Sequence, residues 1–383
     1  MTADLLRFAE RVIARADREH PADAVLRQDL KGQRFLPAQS TAQVSHAVFA
    51  FYRWLRWLDP HQPLTSQIEH ALSLAERFQN QPASFTDAEL VALAVPEWLA
   101  DYMTITPAWA RALQTAPRLW LRARPAQGIA LCKSLGQCRP FGDGPLADTL
   151  EYQGDRDLFL IPEFHTGKFE LQDLSSQAVG LLCAPQPGET WWDACAGEGG
   201  KTLHLSDLMQ NRGLIWATDK APWRLQRLKR RAARAGVFNY RAALWSQTAR
   251  LPTKTKFDGV LIDAPCSGTG TWHRNPHARW TTTPSDLQEL ALLQEELLCS
   301  AAAVLKPRGK FIYAVCSLTR PETADVAAKF EKECPAFAPF EIRNPLDPGL
   351  PAAAQWYFKP ERFGGNGMFV AAWTRTQRQG KYI

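Results

Sequence analysis

Two cysteines of this sequence follow short apolar runs in similar settings. Cys266 lies in the segment "DAPCSGTG", and Cys316 lies in the later segment "YAVCSLTR". A cysteine thiolate is a strong nucleophile and can form a covalent intermediate with an electrophilic substrate. Without further context, however, a cysteine after an apolar run is more often a buried and inert thiol. The surrounding motifs must therefore decide between the two roles.

The other cysteines form no pattern that is typical of metal binding or of disulfides. All eight cysteines of the chain are scattered, and no CxxC spacing occurs. Structural zinc sites usually space their cysteines about two to four residues apart, and disulfide frameworks are typical of short secreted chains. We therefore expect reduced thiols and no metal site, with the remaining six cysteines in structural roles.

A glycine-rich turn is a candidate cofactor site. Asp193 ends an apolar run, and "ACAGEGGK" follows it directly, before a helical pattern. Glycines in such a turn let the backbone approach a ligand, and the N–H groups of the next helix point towards it. About 20 residues later, Asp219 ends the next predicted strand, where a carboxylate can accept hydrogen bonds from ribose hydroxyls. Because the turn lacks the GxGxxG pattern of a dinucleotide site, it predicts S-adenosylmethionine; the alternative is an Asp219 that only caps a loop.

The chain divides into three regions with different patterns. From Leu5 to about Arg118, apolar residues recur every three or four positions, which predicts helices. Short apolar pieces and turn signals follow, which predict a small α/β subdomain. The remainder alternates apolar runs, glycine turns and helical stretches, which is typical of a doubly wound, mostly parallel sheet. The predicted domains cover residues 1–118, 119–170 and 171–383.

One helix of the third region has boundary signals that can be read directly. Ser285 and Gln288 have the spacing of a capping box, and leucines follow at helical spacing. The segment "KPRG" at 306–309 is predicted to end this helix before the strand "KFIYAVC".

Composition and charge exclude some classes of protein. The chain of 383 residues is 45% hydrophobic and 22% charged, and it has no apolar run of the roughly 20 residues that span a bilayer. Its first residues carry charges throughout, so they predict no secretion signal, and we expect a cytoplasmic monomer that does not bind membranes. The net charge of +6 is compatible with a nucleic-acid partner, but it is also common among proteins that have none.

Four motifs together resemble the RsmB/NOP (Nop2/Sun) family of RNA cytosine-C5 methyltransferases. They are "QDLSSQ" at 172–177, "DACAGEGGKT" at 193–202, "DAPCSGTG" at 263–270 and "YAVCS" at 313–317, and the likeness covers roughly residues 118–375. The paired Pro-Cys and Val-Cys motifs make it specific. The resemblance implies an α/β fold, namely a Rossmann-like class I methyltransferase domain with a small α/β subdomain. The N-terminal helices resemble, more loosely, the all-α, NusB-like extension of bacterial members.

The resemblance also implies roles for individual residues. Cytosine C5 is too electron-poor to attack a methyl sulfonium, but addition of a thiolate to C6 makes C5 nucleophilic. By resemblance, Cys316 is this nucleophile, Cys266 serves proton removal and release, and Asp263 hydrogen-bonds the ring edge of the base. The cofactor-binding residues implied for S-adenosylmethionine are Cys195, Ala196, Gly197, Glu198, Gly199, Gly200, Lys201, Asp219, Arg224 and Asp263.

The chain departs from the family pattern at three places. The family usually has Ala-Pro-Gly-Gly-Lys in the glycine turn, so Glu198 is expected to add a carboxylate beside the cofactor. Where the family tends to have an aspartate that contacts adenine, this chain has Trp245 and Ser246, which leaves the adenine contact open; one alternative is that Trp245 stacks on or borders the adenine. The usual Glu-Asn pair after the nucleophile motif is replaced by Glu322 and Thr323.

Two basic segments are candidates for RNA contact. The helical segment "RLQRLKRRAARAG" contains six basic residues between Arg224 and Arg234, which fits either a solvated helix face or phosphate contacts. In "TWHRNPHARW", the family has a basic loop that faces the substrate, so His273 and Arg274 are expected to contact RNA and Trp272 to stack on a base. A target base must be unstacked to reach Cys316, which favours a loop or unfinished ribosomal RNA as substrate.

Two other functions remain open at this stage. The first is a non-catalytic RNA-binding or ribosome-assembly factor that keeps the fold, which the altered adenine position favours and the intact cysteines oppose. The second is a methyltransferase that acts on an amine or on DNA; an amine target needs no thiol, and a DNA cytosine enzyme would use Cys266 as its nucleophile.

Overall fold

The computed structural model describes residues 1–32, 37–246 and 253–376. These residues form two compact units. The helical unit comprises Met1–Pro117 and Gly268–Asp286, and the sheet unit comprises Arg118–Ser267 and the chain from Leu287 onwards. The polypeptide therefore leaves the sheet unit after Ser267 and returns to it at Leu287.

The N-terminal part of the helical unit consists of α-helices, as the apolar spacing predicts. They are α1 (Ala3–Arg15), α2 (Ala22–Gly32), α3 (Ala38–Arg53), α4 (Leu64–Asn80), α5 (Asp87–Leu93) and α6 (Pro107–Gln114). Two of them begin with a threonine cap, because Thr86 and Thr106 accept hydrogen bonds from backbone N–H groups of the first turn. Within the described parts of the chain, no helix has the length and apolar composition needed to cross a bilayer.

The sheet unit begins with a small antiparallel sheet. Its elements are β1 (Leu119–Ala123), α7 (Gly128–Leu135), β2 (Cys138–Pro140), β3 (Thr149–Tyr152), α8 (Pro162–His165) and β4 (Phe169–Leu171). The strands pair in the order β2-β3-β1-β4. This is the small α/β region that the turn signals predict.

A larger mixed sheet follows, with helices between its strands. Its elements are α9 (Leu174–Cys183), β5 (Thr190–Asp193), α10 (Gly200–Leu208), β6 (Leu214–Asp219), α11 (Pro222–Arg234), β7 (Tyr240–Leu244), β8 (Phe257–Asp263), α12 (Ala278–Thr281), α13 (Pro284–Ala302), β9 (Leu305–Val315), α14 (Ala324–Glu333), β10 (Phe337–Pro339), β11 (Gln355–Phe358), α15 (Pro360–Phe363) and β12 (Met368–Arg375). Of these, α12 belongs to the helical unit, because it lies within residues 268–286.

The strand order of the large sheet is β10-β12-β9-β8-β5-β6-β7, with β11 added beside β12. Strands β5 to β9 are parallel, and β12 is antiparallel to β9, β10 and β11. Helices cover both faces, since the adjacent buried residues Trp191 and Trp192 of β5 belong to different hydrophobic clusters. The predicted doubly wound α/β fold is confirmed.

Residues 268–286 are held in the helical unit by a buried arginine. The fully buried guanidinium of Arg279 donates to the carbonyl oxygens of Arg53 (3.4 Å), Ala94 (2.7 Å) and Leu113 (3.1 Å). These carbonyls lie at the C-terminal ends of α3, α5 and α6, where the helix itself provides no N–H partner. One side chain therefore satisfies the ends of three helices.

This packing overturns part of the predicted RNA contact. The ring of Trp272 is fully buried and packs edge-to-face against Trp98, with 6.4 Å between the ring centres. His273 is also buried, and burial lowers the pKa of its ring to about 3, so it is neutral at physiological pH. The expected roles of Trp272 in base stacking and of His273 in RNA contact are therefore wrong. Arg274 is exposed, and its contact with RNA stays a prediction.

The boundaries of α13 also differ from the prediction. Thr283 and Asp286 form the reciprocal cap: the backbone N–H of Thr283 donates to the Asp286 carboxylate (2.8 Å), and the N–H of Asp286 donates to the Thr283 hydroxyl (3.4 Å). The predicted box of Ser285 and Gln288 has the same spacing but starts two residues too late. The segment "KPRG" lies within β9 and does not end the helix.

We expect Arg279→Ala to destabilise the helical unit by about 3 kcal/mol or more, because three buried carbonyl groups lose their donor. Scanning calorimetry of the full chain measures the change in unfolding temperature. Arg7→Ala is the matched control: Arg7 is an exposed arginine of the same unit that pairs with exposed Asp4, and an ion pair of this kind contributes at most about 1 kcal/mol. Equal effects of the two substitutions would contradict the proposed role of Arg279.

Candidate active site

Four neighbouring parallel strands end in residues that the sequence analysis singled out. β5 ends at Asp193, β6 at Asp219 and β8 at Asp263. β9 ends at Val315, directly before Cys316. The strand order reverses between β5 and β8, because β6 and β7 lie on one side of β5 and β8 and β9 on the other. Ligands of open α/β sheets bind at the carboxyl ends of the strands beside such a reversal.

The turn after β5 brings backbone N–H groups to this edge. Gly197 and Gly199 have φ angles of +54° and +85°, which residues with a Cβ atom rarely adopt. A Cβ atom on Gly199 would lie 2.6 Å from Cγ of Leu228, whereas a Cβ atom on Gly197 would meet open space. Helix α10 begins at Gly200, so the positive end of its dipole lies at the turn. The predicted loop from 195 to 201 thus has room for close approach of a ligand.

Asp219 is oriented by the backbone around it. Its Oδ2 accepts from the N–H of Gly197 (3.0 Å), and its Oδ1 accepts from the N–H of Ala221 (2.8 Å). The guanidinium of Arg224 lies 3.8 Å from Oδ2. A carboxylate oxygen can accept a second hydrogen bond, so this arrangement fits a ligand with neighbouring hydroxyl groups, such as ribose. The structure brings Asp219 and Arg224 together, and their contact with a cofactor stays a prediction.

Trp245 is a core residue. Its ring is 3% exposed and packs against Trp192, with 4.9 Å between the ring centres. The possibility that Trp245 stacks on adenine therefore has no support in its position.

Lys201 and Asp263 form an ion pair at the edge of the sheet. The Nζ atom of Lys201 lies 2.7 Å from Oδ2 of Asp263. Burial by itself would lower the pKa of Lys201, but the Asp263 carboxylate outweighs it and raises that pKa above its usual value. Asp263 also pairs in register with Ala314 of the neighbouring strand β9, so the strand end that carries Cys316 lies beside it. The structure thus brings together Lys201, Asp263 and Cys316.

Asp193 carries a carboxyl group that is only partly satisfied. Its Oδ2 accepts from the hydroxyl of Thr202 (2.6 Å), and its Oδ1 is buried without a partner among the residues that the structure describes. Burial raises the pKa of Asp193 to about 7, and the nearby charge of Asp263 adds to the effect, although the Thr202 hydrogen bond opposes it. The unpaired oxygen fits a ligand that carries a positive charge or a hydrogen-bond donor.

The two cysteines of the sequence motifs are in contact. The Sγ atoms of Cys266 and Cys316 lie 3.2 Å apart, and both residues are partly exposed. A disulfide would need about 2.05 Å, so these are two reduced thiols. Their loops follow β8 and β9, which are paired parallel strands.

A buried carboxylate holds the two cysteine loops together. Glu322 is fully buried, and its Oε1 accepts from the N–H of Ser267 (2.8 Å), next to Cys266. Its Oε2 accepts from the hydroxyl groups of Ser267 (2.5 Å), Ser317 (2.6 Å) and Thr319 (3.0 Å), so it also binds the loop after Cys316. One side chain therefore fixes both loops and with them the separation of the two thiols.

Gln294 of α13 completes this network, and sequence reasoning missed it. Its side-chain amide donates to the carbonyl of Pro265 (2.8 Å) and to Oε1 of Glu322 (3.2 Å), and its Oε1 accepts from the hydroxyl of Tyr313 (2.8 Å). A signal existed: Gln294 follows Leu287 by seven positions, so it lies on the apolar face of the helix. A polar residue at a core position of an amphipathic helix indicates a buried hydrogen-bond network.

The side chain of Glu198 pairs with α11. Its carboxylate lies 2.5 Å from the guanidinium of Arg227, and its backbone carbonyl accepts from Arg231 (3.0 Å). An added carboxylate beside the cofactor was expected at this position. Because the carboxylate and the carbonyl oxygen of Glu198 both contact arginines of α11, contact of Glu198 with the cofactor stays a prediction.

The strand order, the glycine turn after β5 and the acidic residue at the end of β6 define a Rossmann-like methyltransferase domain. Comparison with solved structures supports the fold. The crystal structure of PH0851 covers 97% of this chain and 99% of its own, with a TM-score of 0.79 and 22% identity. The structure of NSun6 from Pyrococcus horikoshii with SFG, an analogue of S-adenosylmethionine, covers 70% of this chain and 94% of its own, with a TM-score of 0.62 and 18% identity.

Sequence comparison identifies the family. The family model described as 16S rRNA methyltransferase RsmB/F matches residues 180–374. A probable ribosomal RNA small subunit methyltransferase B of Synechocystis sp. is 31% identical over 305 residues, which are 74% of this chain and 68% of that protein. The chain belongs to the RsmB/F methyltransferase family, and the resemblance seen in the sequence motifs is confirmed.

The cofactor of this protein is S-adenosylmethionine. The described residues fit it: the open turn at Gly197 and the carboxylate of Asp219 suit its ribose part, and the unpaired Oδ1 of Asp193 suits its positive charge. Among the residues that the structure describes, no group of three or more His, Cys, Asp or Glu side chains is placed to hold a metal ion.

Protonation of Asp193 makes the stability of the protein depend on pH. The folded state binds this proton more tightly than the unfolded chain, whose carboxyl has a pKa near 3.8. We expect the free energy of unfolding of the wild type, relative to Asp193→Asn, to fall as pH rises from about 4 to about 7. Urea denaturation of both proteins at about pH 5 and about pH 8 measures this; a difference that is equal at both pH values would contradict it.

Loss of the Glu322 carboxylate should loosen both cysteine loops. Glu322→Ala removes the acceptor for one backbone N–H group, the Gln294 amide and three hydroxyl groups, so we expect a loss of about 3 kcal/mol or more and faster amide exchange at 266–267 and 316–319. Hydrogen-exchange mass spectrometry measures both loops in one experiment. Glu296→Ala, which removes an exposed carboxylate from α13, should leave both loops unchanged.

Proposed function

We propose that this protein methylates C5 of cytosine in RNA, namely in small-subunit ribosomal RNA, with Cys316 as the covalent nucleophile. The names of the relatives support ribosomal RNA as substrate, because the Synechocystis protein is described as a small subunit ribosomal RNA methyltransferase. The observation that carries the chemistry is the contact of two reduced thiols, 3.2 Å apart, at the strand ends where Lys201 pairs with Asp263. A methyltransferase that acts on an amine needs no such pair of thiols.

The first step is addition of the Cys316 thiolate to C6 of the target base. The new S–C6 bond forms as the electrons of the C5–C6 double bond move into the ring, which makes C5 nucleophilic. Asp263 accepts a hydrogen bond from the exocyclic amine. The ammonium group of Lys201, which is paired with Asp263, stabilises the negative charge that develops towards N3. S-adenosylmethionine, when bound, supplies the electrophilic methyl group that C5 then takes up.

The second step releases the methylated base. Cys266, as its thiolate, takes the proton from C5, the C–H electrons form the C5–C6 double bond again, and the bond between C6 and the Cys316 sulfur breaks to return the Cys316 thiolate. Both thiols must therefore reach adjacent carbons of one ring, and a separation of 3.2 Å between the sulfurs suits this requirement. Glu322 maintains that separation through the loops that carry them.

The base must leave its stack to enter this site. A thiolate attacks C6 from above the plane of the ring, and that face is covered by neighbouring bases in a helix. The substrate is therefore a single-stranded or flipped-out cytosine, as in a loop or in unfinished ribosomal RNA.

Substitution of Cys316 and substitution of Cys266 should have different effects on methyl transfer. We expect Cys316→Ala to abolish both methyl transfer and the covalent complex, because no nucleophile remains. Cys266→Ala should keep the addition step but lower turnover by roughly 10²- to 10⁴-fold, because release needs a proton acceptor. Transfer of labelled methyl to ribosomal RNA, with a denaturing gel for protein-linked RNA, measures both effects.

Cys299→Ala is the matched control, since Cys299 is an exposed thiol on α13 and should keep wild-type activity. If Cys266→Ala loses the covalent complex and Cys316→Ala keeps it, the two roles are reversed. If neither thiol affects methyl transfer, or if the wild type transfers no methyl group to RNA, the proposal fails.

A further inference from the structure

The sheet unit has a cavity outside the cluster of Cys266, Cys316 and Asp263. Its volume is about 360 Å³, within the range of roughly 300–1,000 Å³ that is usual for ligand pockets. The lining residues come from the small sheet, the glycine turn and α11: Phe159, Phe164, Glu170, Leu171, Glu198, Arg227, Arg230, Arg231 and Arg234. We call this the arginine cavity.

One face of α11 supplies the positive charge of the arginine cavity. The four lining arginines follow each other at helical spacing, at positions 227, 230, 231 and 234, so they share a face. The opposite face packs in the core through Leu225, Leu228 and Ala232. By sequence, this basic helix fits either a solvated face or phosphate contacts; in the structure, part of it lines a concave surface.

A buried carboxylate holds two of these arginines in position. Glu170 is 1% exposed and pairs with Arg231 (2.8 Å) and Arg234 (2.6 Å). Glu198 pairs with Arg227, and Arg230 has no ion pair among the residues described by the structure. Four arginines against two glutamates leave the described lining with a net charge of +2.

Aromatic rings lie beside these charges. Phe159 is 57% exposed and contacts Phe164 edge-to-face, with 5.0 Å between ring centres. The guanidinium of Arg234 lies over the Phe164 ring at 3.8 Å. A ring next to guanidinium groups is an arrangement that single-strand-binding proteins use to stack a base while they bind its phosphate.

We propose that the arginine cavity binds one nucleotide of single-stranded RNA, with the base on Phe159 and the phosphate on Arg227 and Arg230. This inference rests on the proposed function, because it assumes that RNA is the substrate. It adds a contact that lies apart from the reacting cytosine and that anchors a flanking part of the same RNA. The lining offers stacking and charge but little to distinguish base edges, so binding here is tolerant of sequence.

The test uses a labelled single-stranded uridine oligonucleotide, which contains no cytosine and so separates binding from methylation. Fluorescence anisotropy with the full-length protein measures affinity over a range of salt concentrations. Arg230→Gln should weaken binding and reduce the salt dependence by about 0.7, the value for one phosphate contact to a single strand. Phe159→Ala should weaken binding about tenfold with unchanged salt dependence, because stacking is not ionic.

Each variant has a matched neighbour that does not line the cavity. Lys229→Gln removes the same charge from the same helix, and Leu160→Ala removes an apolar side chain that is 75% exposed. Both controls should bind like the wild type. If they lose as much affinity as the cavity variants, or if the cavity variants lose none, the arginine cavity is not an RNA site. Displacement of the oligonucleotide by a polyglutamate peptide, together with an unaffected Phe159→Ala, would show a general anion site and overturn the proposal.

Methyl transfer to ribosomal RNA distinguishes failure of this inference from failure of the proposed function. The cavity variants should raise KM and keep kcat, because the reacting groups are untouched. Unchanged KM in both variants overturns the cavity proposal and leaves the function intact. Absence of methyl transfer by the wild type, with the expected pattern of oligonucleotide binding, would remove the function and keep the cavity as an RNA site.

Discussion

The buried carboxylate of Glu322 is the interaction on which the reactive part of the site depends. An ionised carboxylate inside a protein is costly unless hydrogen bonds replace its hydration. Glu322 obtains them from the loop after β8, from the loop after β9 and from Gln294 of α13. Most groups that donate hydrogen bonds to this carboxylate belong to the loops that carry Cys266 and Cys316. The hydrogen bonds that offset the burial of the carboxylate therefore also hold the two thiols in position.

Three other carboxylates at the same edge are stabilised in three different ways. Asp219 is satisfied by backbone N–H groups, and Asp263 by the ammonium group of Lys201. Asp193 has only a hydroxyl donor, and burial raises its pKa to about 7. At this edge of the sheet, Asp219 is thus an acceptor for hydroxyl groups, and Lys201 and Asp263 form an ion pair beside the thiols. Asp193 is a carboxyl group whose protonation responds to nearby charge. These are different chemical tasks, and each follows from what surrounds the carboxylate.

Periodicity and motif order were sufficient to predict the architecture of the sheet unit. Apolar runs that end in Asp193, Asp219 and Asp263 mark successive strands, and parallel strands present their carboxyl ends at one edge. The same local signals failed at α13, where two pairs of residues have capping spacing and only the fold selects Thr283 and Asp286. They also failed for Trp272 and His273, because nothing in the local sequence shows that residues 268–286 belong to the helical unit.

The sequence by itself determined the α/β class, the family motifs and the candidate residues, because strand ends, glycine turns and paired cysteines leave local patterns. Only the tertiary structure decided which side chains meet. The contacts of Glu322 with two loops, of Arg279 with three helix ends, and of Glu170 with two arginines of α11 join residues far apart in the chain. A buried charge must have hydrogen-bond or ion-pair partners. Which charges are buried, and which partners lie within reach, is decided only when the helices and strands pack together.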